Sequence, residues 1–304
     1  MDVILLFFEK IRTMFNESYL QGVGMFRTFS IIILFLIPFS INAQMTFDTG
    51  RGGADSSGKA DIVNKPSKTP AKVDRYNVFY IGDEYTDANS LTQLIQYMGV
   101  QVRKPFEIAP SKLSPPNWSL EMHLKNTELP KAFNDVKWDY VVIQENRTEV
   151  IDNPDKTIES ATKLADIAKK NGAKPIFFMT WANKDKPEQS KEILKTYEEL
   201  AIKNMARMSP VGIAWERARK LAPHIELYRE ESETSYPTAH GTYLTAACLF
   251  VTIFRQSPVG QKQTGFKTVP YKDALILQKI AYKTVMDYEK YIMAKMQKMQ
   301  EEKK

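Results

Sequence analysis

The chain predicts an α/β domain with a parallel sheet covered by helices on both faces. Three observations carry this expectation. Short runs such as Asn77–Ile81, Tyr140–Ile143 and Pro175–Thr180 are almost continuously apolar, as strands buried on both faces are. Between them, apolar residues recur at helical spacing, as with Leu91, Leu94, Ile95 and Met98. The chain is 43% hydrophobic and 26% charged, and the alternation of strand and helix signals is that of a doubly covered sheet.

In order, Asn77–Ile81 reads as a strand ending at Gly82, and Ala88–Met98 as a helix. Val100–Ile108 reads as a second strand and Tyr140–Ile143 as a third. Thr157–Lys170 is a helix stopped by Asn171-Gly172, a C-terminal signal. Pro175–Thr180 is a strand, Glu188–Arg207 a long helix, and Val211–Ala214 a short strand running into a helix from Trp215. Gly241–Phe254 and Ala274–Met293 close the domain as two helices. The domain is expected to span residues 76–293, with a charged tail at 294–304. In such sheets ligands sit beyond the carboxyl ends of the strands. The residues to watch are therefore Gly82–Asp87, Gln144–Thr148, Trp181–Asn183 and Arg229–His240.

The N-terminal segment has a different character. Arg27, the apolar run Ile31–Ile41 and Asn42-Ala43-Gln44 make the charged, apolar and small-residue parts of a secretory signal. The run is shorter than the ~20 apolar residues that span a bilayer. Residues 1–43 are thus expected to be a signal peptide, with Met25 a candidate start, and the mature product to be periplasmic or extracellular with no membrane span. Residues 44–75 are rich in Gly, Ser, Lys, Asp and Pro and read as a linker. Cys248 is the sole cysteine, so no internal disulfide is possible. The net charge of +6 gathers partly in the tail, without the basic and aromatic stripe that argues for nucleic acid. No glycine-rich phosphate loop is present, and neither a cofactor nor a resident metal is implied.

Four segments carry a resemblance. They are Ile81-Gly-Asp-Glu-Tyr-Thr86, Trp138-Asp-Tyr-Val-Val-Ile-Gln-Glu-Asn146, Met179-Thr-Trp181 and Pro237-Thr-Ala-His-Gly-Thr-Tyr-Leu-Thr-Ala-Ala247. In this order they resemble the SGNH/GDSL hydrolase superfamily, over about Asn77 to Pro258. The resemblance implies a flavodoxin-like three-layer α/β/α sandwich. It also implies acyl-ester hydrolysis by a serine, a histidine and an aspartate, with an oxyanion held by a backbone N–H, a glycine N–H and an amide side chain.

Carried over one position at a time, those roles meet substitutions. The serine position falls on Glu84, which has no hydroxyl to acylate. The histidine position falls on Tyr236, whose phenol, with an ordinary pKa near 10, is a poor base at neutral pH. The aspartate position falls on Glu233, and the oxyanion glycine near Asn117. The amide block persists as Gln144-Glu145-Asn146. These losses point to a pseudoenzyme whose cleft would hold a carbohydrate or an acylated small ligand. Other readings keep a rearranged site built on Glu84, Glu233 or His240, a glycosidic carboxylate pair, or a hard cation on Glu84, Glu233 and Asp83. His240 is the possible substitute base, and Trp181, just after a strand, a possible sugar platform. His123, His224, Ser90 and Ser119 read as ordinary helix, loop or cap residues, and Trp138 and Trp215 as core. A last reading makes the Met- and Lys-rich segment Tyr282–Lys304 a partner surface.

Overall fold

A computed structural model describes residues 73–229 and 236–302. The expected signal peptide, nearly all of the expected linker, and Glu233 lie outside the described residues. The elements run in the order β1 (Arg75–Ile81), α1 (Glu84–Asp87), a 3₁₀ turn (Ala88–Ser90), α2 (Leu91–Gly99), β2 (Glu107–Leu113), α3 (Leu120–Leu124) and α4 (Glu128–Asp135). They continue with β3 (Tyr140–Ile143), α5 (Arg147–Asp152), α6 (Pro154–Lys170), β4 (Lys174–Phe178), α7 (Gln189–Asn204), β5 (Arg207–Ser209), α8 (Val211–Leu221), α9 (Ala239–Phe254) and α10 (Tyr271–Glu301).

The five strands are all parallel and lie in the order β2-β1-β3-β4-β5. This is the flavodoxin-like order, whose switch point lies between β1 and β3. Side chains alternate across each strand. From β1, Val78 and Tyr80 enter one core, shared with α2, α8, α9 and α10. Phe79 and Ile81 enter the other, shared with α4, α6 and α7. Both faces of the sheet are covered, and the three-layer sandwich is as expected. The α9 helix is apolar nearly all round and buries thirteen residues from Gly241 to Ile253, the pattern of a helix inside the core rather than on its surface.

Several boundaries differ from the sequence reading. The second strand is Glu107–Leu113, later than expected, and it carries Pro110. A proline cannot donate to the ladder, and β2 is an edge strand, where that is tolerated. Residues 88–90 form a separate turn with Asn89 and Ser90 both at positive φ, so the expected single helix begins only at Leu91. The fifth strand is Arg207–Ser209, and Val211–Leu221 is helix throughout. The long α7 therefore ends at Asn204 rather than Arg207. Lastly, α10 runs on to Glu301, so most of the expected tail is helix. Among the described residues, no helix is long and apolar enough to cross a membrane.

Candidate functional site

The site is built at the carboxyl ends of β1 and β3. After Ile81 the chain turns at Gly82, and Asp83 caps α1 by accepting from the Tyr85 N–H at 2.9 Å. A Cβ on Gly82 would overlap Gln144 Oε1 and Thr86 Oγ1, so the turn requires glycine. Gln144 follows β3. Its Oε1 accepts from the Asp83 N–H at 3.0 Å and the Thr86 hydroxyl at 2.8 Å, while Nε2 donates to the Glu145 carbonyl at 2.7 Å. Its side chain is fully buried and fastens the two strand ends together.

Position 84 stands at the start of the helix after this turn. Glu84 Oε2 accepts from the backbone N–H of Asn117 at 2.7 Å. Asn117 lies in the left-handed region, with φ of 59°, a conformation asparagine adopts more readily than most non-glycine residues. Thus the Glu84 carboxylate occupies the Asn117 N–H. Asn146 Nδ2 donates to Asp83 Oδ2 at 3.1 Å, and its own Oδ1 accepts from the Thr148 N–H at 2.9 Å.

Two buried carboxyls support the turn. Asp83 is pushed up to about 7, chiefly by burial and then by the Glu84 charge. Glu145 is also pushed up to about 7, chiefly by burial. Its Oε1 accepts from the Leu120 and Asn146 N–H groups at 2.9 and 2.8 Å. Sequence reading gives Glu145 no role, although it lies inside the amide block Gln144-Glu145-Asn146. It also passed over His123, taken as an ordinary helix residue. His123 is fully buried, and its Nε2 lies 2.8 Å from the Gly82 carbonyl. That carbonyl can only accept, so Nε2 carries the hydrogen. Burial lowers the His123 pKa, and among the described residues its Nδ1 has no partner. Its position in the Pro116–His123 block was the available signal.

Tyr236 stacks on Tyr85 with ring centroids 5.5 Å apart and planes at 23°. Its phenol is pushed up to about 12, first by burial and then by the Glu84 charge. The group therefore stays protonated at neutral pH, a donor rather than a base. Glu84 and Tyr236 share one electrostatic neighbourhood, although the Glu233 position is not described.

Trp181, a possible sugar platform by sequence, is 2% exposed and stacks on Trp215 at 3.9 Å with planes at 4°. The Tyr85 ring meets it edge-on, so Trp181 offers no open face. Trp138 and Trp215 are core, as expected. His240 Nε2 lies 3.2 Å from Asp273 Oδ2, at the starts of α9 and α10. Ser119 caps α3, accepting from the Met122 N–H. Among the described residues, no cluster of three or more His, Cys, Asp or Glu could hold a metal ion.

No known protein family and no curated protein matches the chain by sequence. Solved structures do match by shape. A variant of Axe2, an acetyl-xylooligosaccharide esterase from Geobacillus stearothermophilus, aligns with a TM-score of 0.51 at 12% identity, over 60% of this chain and 96% of that one. LAE5, an alpha/beta hydrolase from the metagenome of Lake Arreo in Spain, aligns at 0.50 and 12%, over 60% and 96%. A putative SGNH hydrolase from Slackia heliotrinireducens aligns at 0.49 and 20% identity, over 60% and 100%. With its five parallel strands in flavodoxin-like order and helices on both faces, the chain shares the fold of Axe2 and LAE5.

Proposed function

We propose that this protein is an exported SGNH-type esterase scaffold that has lost the serine mechanism and keeps its cleft for binding a glycan or an ester-bearing ligand. One observation carries the reading: the Glu84 carboxylate lies on the Asn117 N–H at 2.7 Å. In an acyl-transfer site such an N–H holds the oxyanion. Here a resident carboxylate fills it, and a negative group at that place repels a developing oxyanion. The residue that would deprotonate a nucleophile is a phenol pushed up to about 12, five units above neutral pH, where only about one molecule in 10⁵ is ionised.

A rearranged hydrolase using His240 has less support, since that ring is paired with Asp273. Export rests on the composition of residues 25–44. Its check is N-terminal sequencing of the exported product, which should start just after Ala43. A mature chain beginning at Met1 or Met25 overturns it.

The catalytic half is tested by hydrolysis. Purified protein should cleave p-nitrophenyl acetate and acetylated oligosaccharides no faster than its Glu84→Ala variant. A wild-type rate well above that variant would sink the pseudoenzyme reading.

A further inference from the structure

Away from Glu84, a cavity of about 230 Å³ opens between α2 and the loop ahead of α10. We propose that it is a second binding site, taking one neutral pyranose ring.

Size and chemistry argue for that occupant. The volume falls below the ~300–1,000 Å³ of sites for drug-sized ligands, which suits a single ring. The walls include Asn89, Ser90, Gln93, Tyr97 and Phe266, and no lining residue is charged although 26% of the chain is. Arg229 donates to Asn89 Oδ1 at 2.9 Å, but the lining itself offers an ionic ligand no countercharge. Ser90 and Gln93 are exposed at the rim and present polar groups that a ligand carrying hydroxyls can hydrogen-bond. Tyr97 and Phe266 supply apolar ring surface. A sugar ring matches both demands, with C–H groups on its faces and hydroxyls round its edge.

The walls are also fixed in advance, which lowers the ordering cost of binding. On one side, Asn89 and Ser90 hold φ of 49° and 59°, an uncommon conformation for residues other than glycine. Asn89 is pinned there by Nδ2 donating to Thr242 Oγ1 at 2.8 Å and to the Pro237 carbonyl at 3.1 Å. On the other side, the loop is clasped to α2. Gln101 Nε2 donates to the Gln263 carbonyl at 3.0 Å, and the Gln263 N–H returns to Gln101 Oε1 at 3.2 Å. The Tyr97 hydroxyl bonds Gln263 as well, and Gln261 Nε2 reaches the Met98 carbonyl at 3.1 Å. Gly265, with φ of 75°, leaves the space open, since a Cβ there would come within 2.9 Å of Leu94 Cδ1.

Titration of the full chain with cellobiose, xylobiose and N,N′-diacetylchitobiose, followed by amide NMR shifts, tests the site. Saturable binding of at least one is expected, with Kd in about the millimolar range of a one-ring contact. Gln93→Leu and Phe266→Ala should each weaken it about fivefold or more. Gln93 is exposed on a helix that leucine favours, so that variant keeps the fold. Absence of binding by all three sugars up to about 50 mM overturns the proposal, as does binding that both variants leave unchanged. Binding that falls in Glu84→Ala but in neither cavity variant places the sugar in the cleft and also overturns it. Esterase activity would overturn the pseudoenzyme reading alone, so the two failures are distinguishable.

Discussion

At the scale of single residues, the site is governed by where negative charge is allowed to sit. Glu84 is anchored by one backbone N–H and stands next to Asp83, which is fully buried. Burial disfavours ionisation of Asp83 first, and the Glu84 charge adds to the effect. Glu84→Gln should therefore lower the Asp83 pKa from about 7, though not to an ordinary value, because burial remains. Carboxyl ¹³C NMR titration reads this directly, and an unmoved Asp83 would mean the Glu84 charge is screened from it. Glu84 and Tyr236 were singled out in the sequence because Glu84 lies inside one motif block and Tyr236 directly before another. The contact between Glu84 and Asn117 was not legible. The two are 33 positions apart, and only the turn after β1 and the left-handed Asn117 bring carboxylate and N–H together.

At the scale of elements, most strands and helices stand where they were expected, and β2 and β5 do not. Three residues, Arg207-Met-Ser209, form the whole of β5. That is too few to show a period, so neighbouring Val211-Gly-Ile-Ala214 looked more strand-like. Burial decided otherwise: Val211, Gly212 and Ala214 face inward on helix α8. The C-terminal helix was cut too early because charge outweighs apolar residues after Met293. Yet Ile292 is buried, Met296 packs on the same core, and Lys295 Nζ lies 2.7 Å from Glu198 Oε2. The end of α10 is thus part of the domain wall. Ile292→Ala should cost about 2 kcal/mol in urea denaturation. A change below about 0.5 kcal/mol, the usual effect of a surface substitution, would show that this stretch is not packed as described. This also recasts the reading of Tyr282–Lys304 as a partner surface: truncation after Tyr288 removes core contacts as well as exposed methionines.

At the scale of the whole molecule, stability should depend on pH through the two buried carboxyls. Asp83 and Glu145 both have pKa values raised to about 7 in the folded protein, against about 4 for unfolded carboxyls. Between pH 4 and 7 the folded state therefore binds more protons, and stability falls as pH rises through that window. Their stabilising share is complete below pH 4 and lost above 7. Thermal unfolding should show a decline from pH 5 to pH 8 that is shallower in Glu145→Gln. That variant keeps a carbonyl for the Leu120 and Asn146 N–H groups and gives Thr157 an amide neighbour. An identical slope in wild type and variant would remove Glu145 as a source.

By itself the sequence determined the class of fold, because apolar periodicity is a local property, and it put Glu84 and Tyr236 at the positions that the resemblance gives to a serine and a histidine. It also raised the expectation of export, which the described residues do not reach. The tertiary structure decided what surrounds those positions. Hydrogen bonds and burial depend on residues distant in the chain: Glu84 on the Asn117 N–H, Tyr236 on the Tyr85 ring, His123 behind Gly82, and Trp181 sealed against Trp215. Each of these pairings exists only because the parallel sheet gathers the ends of its strands at one edge.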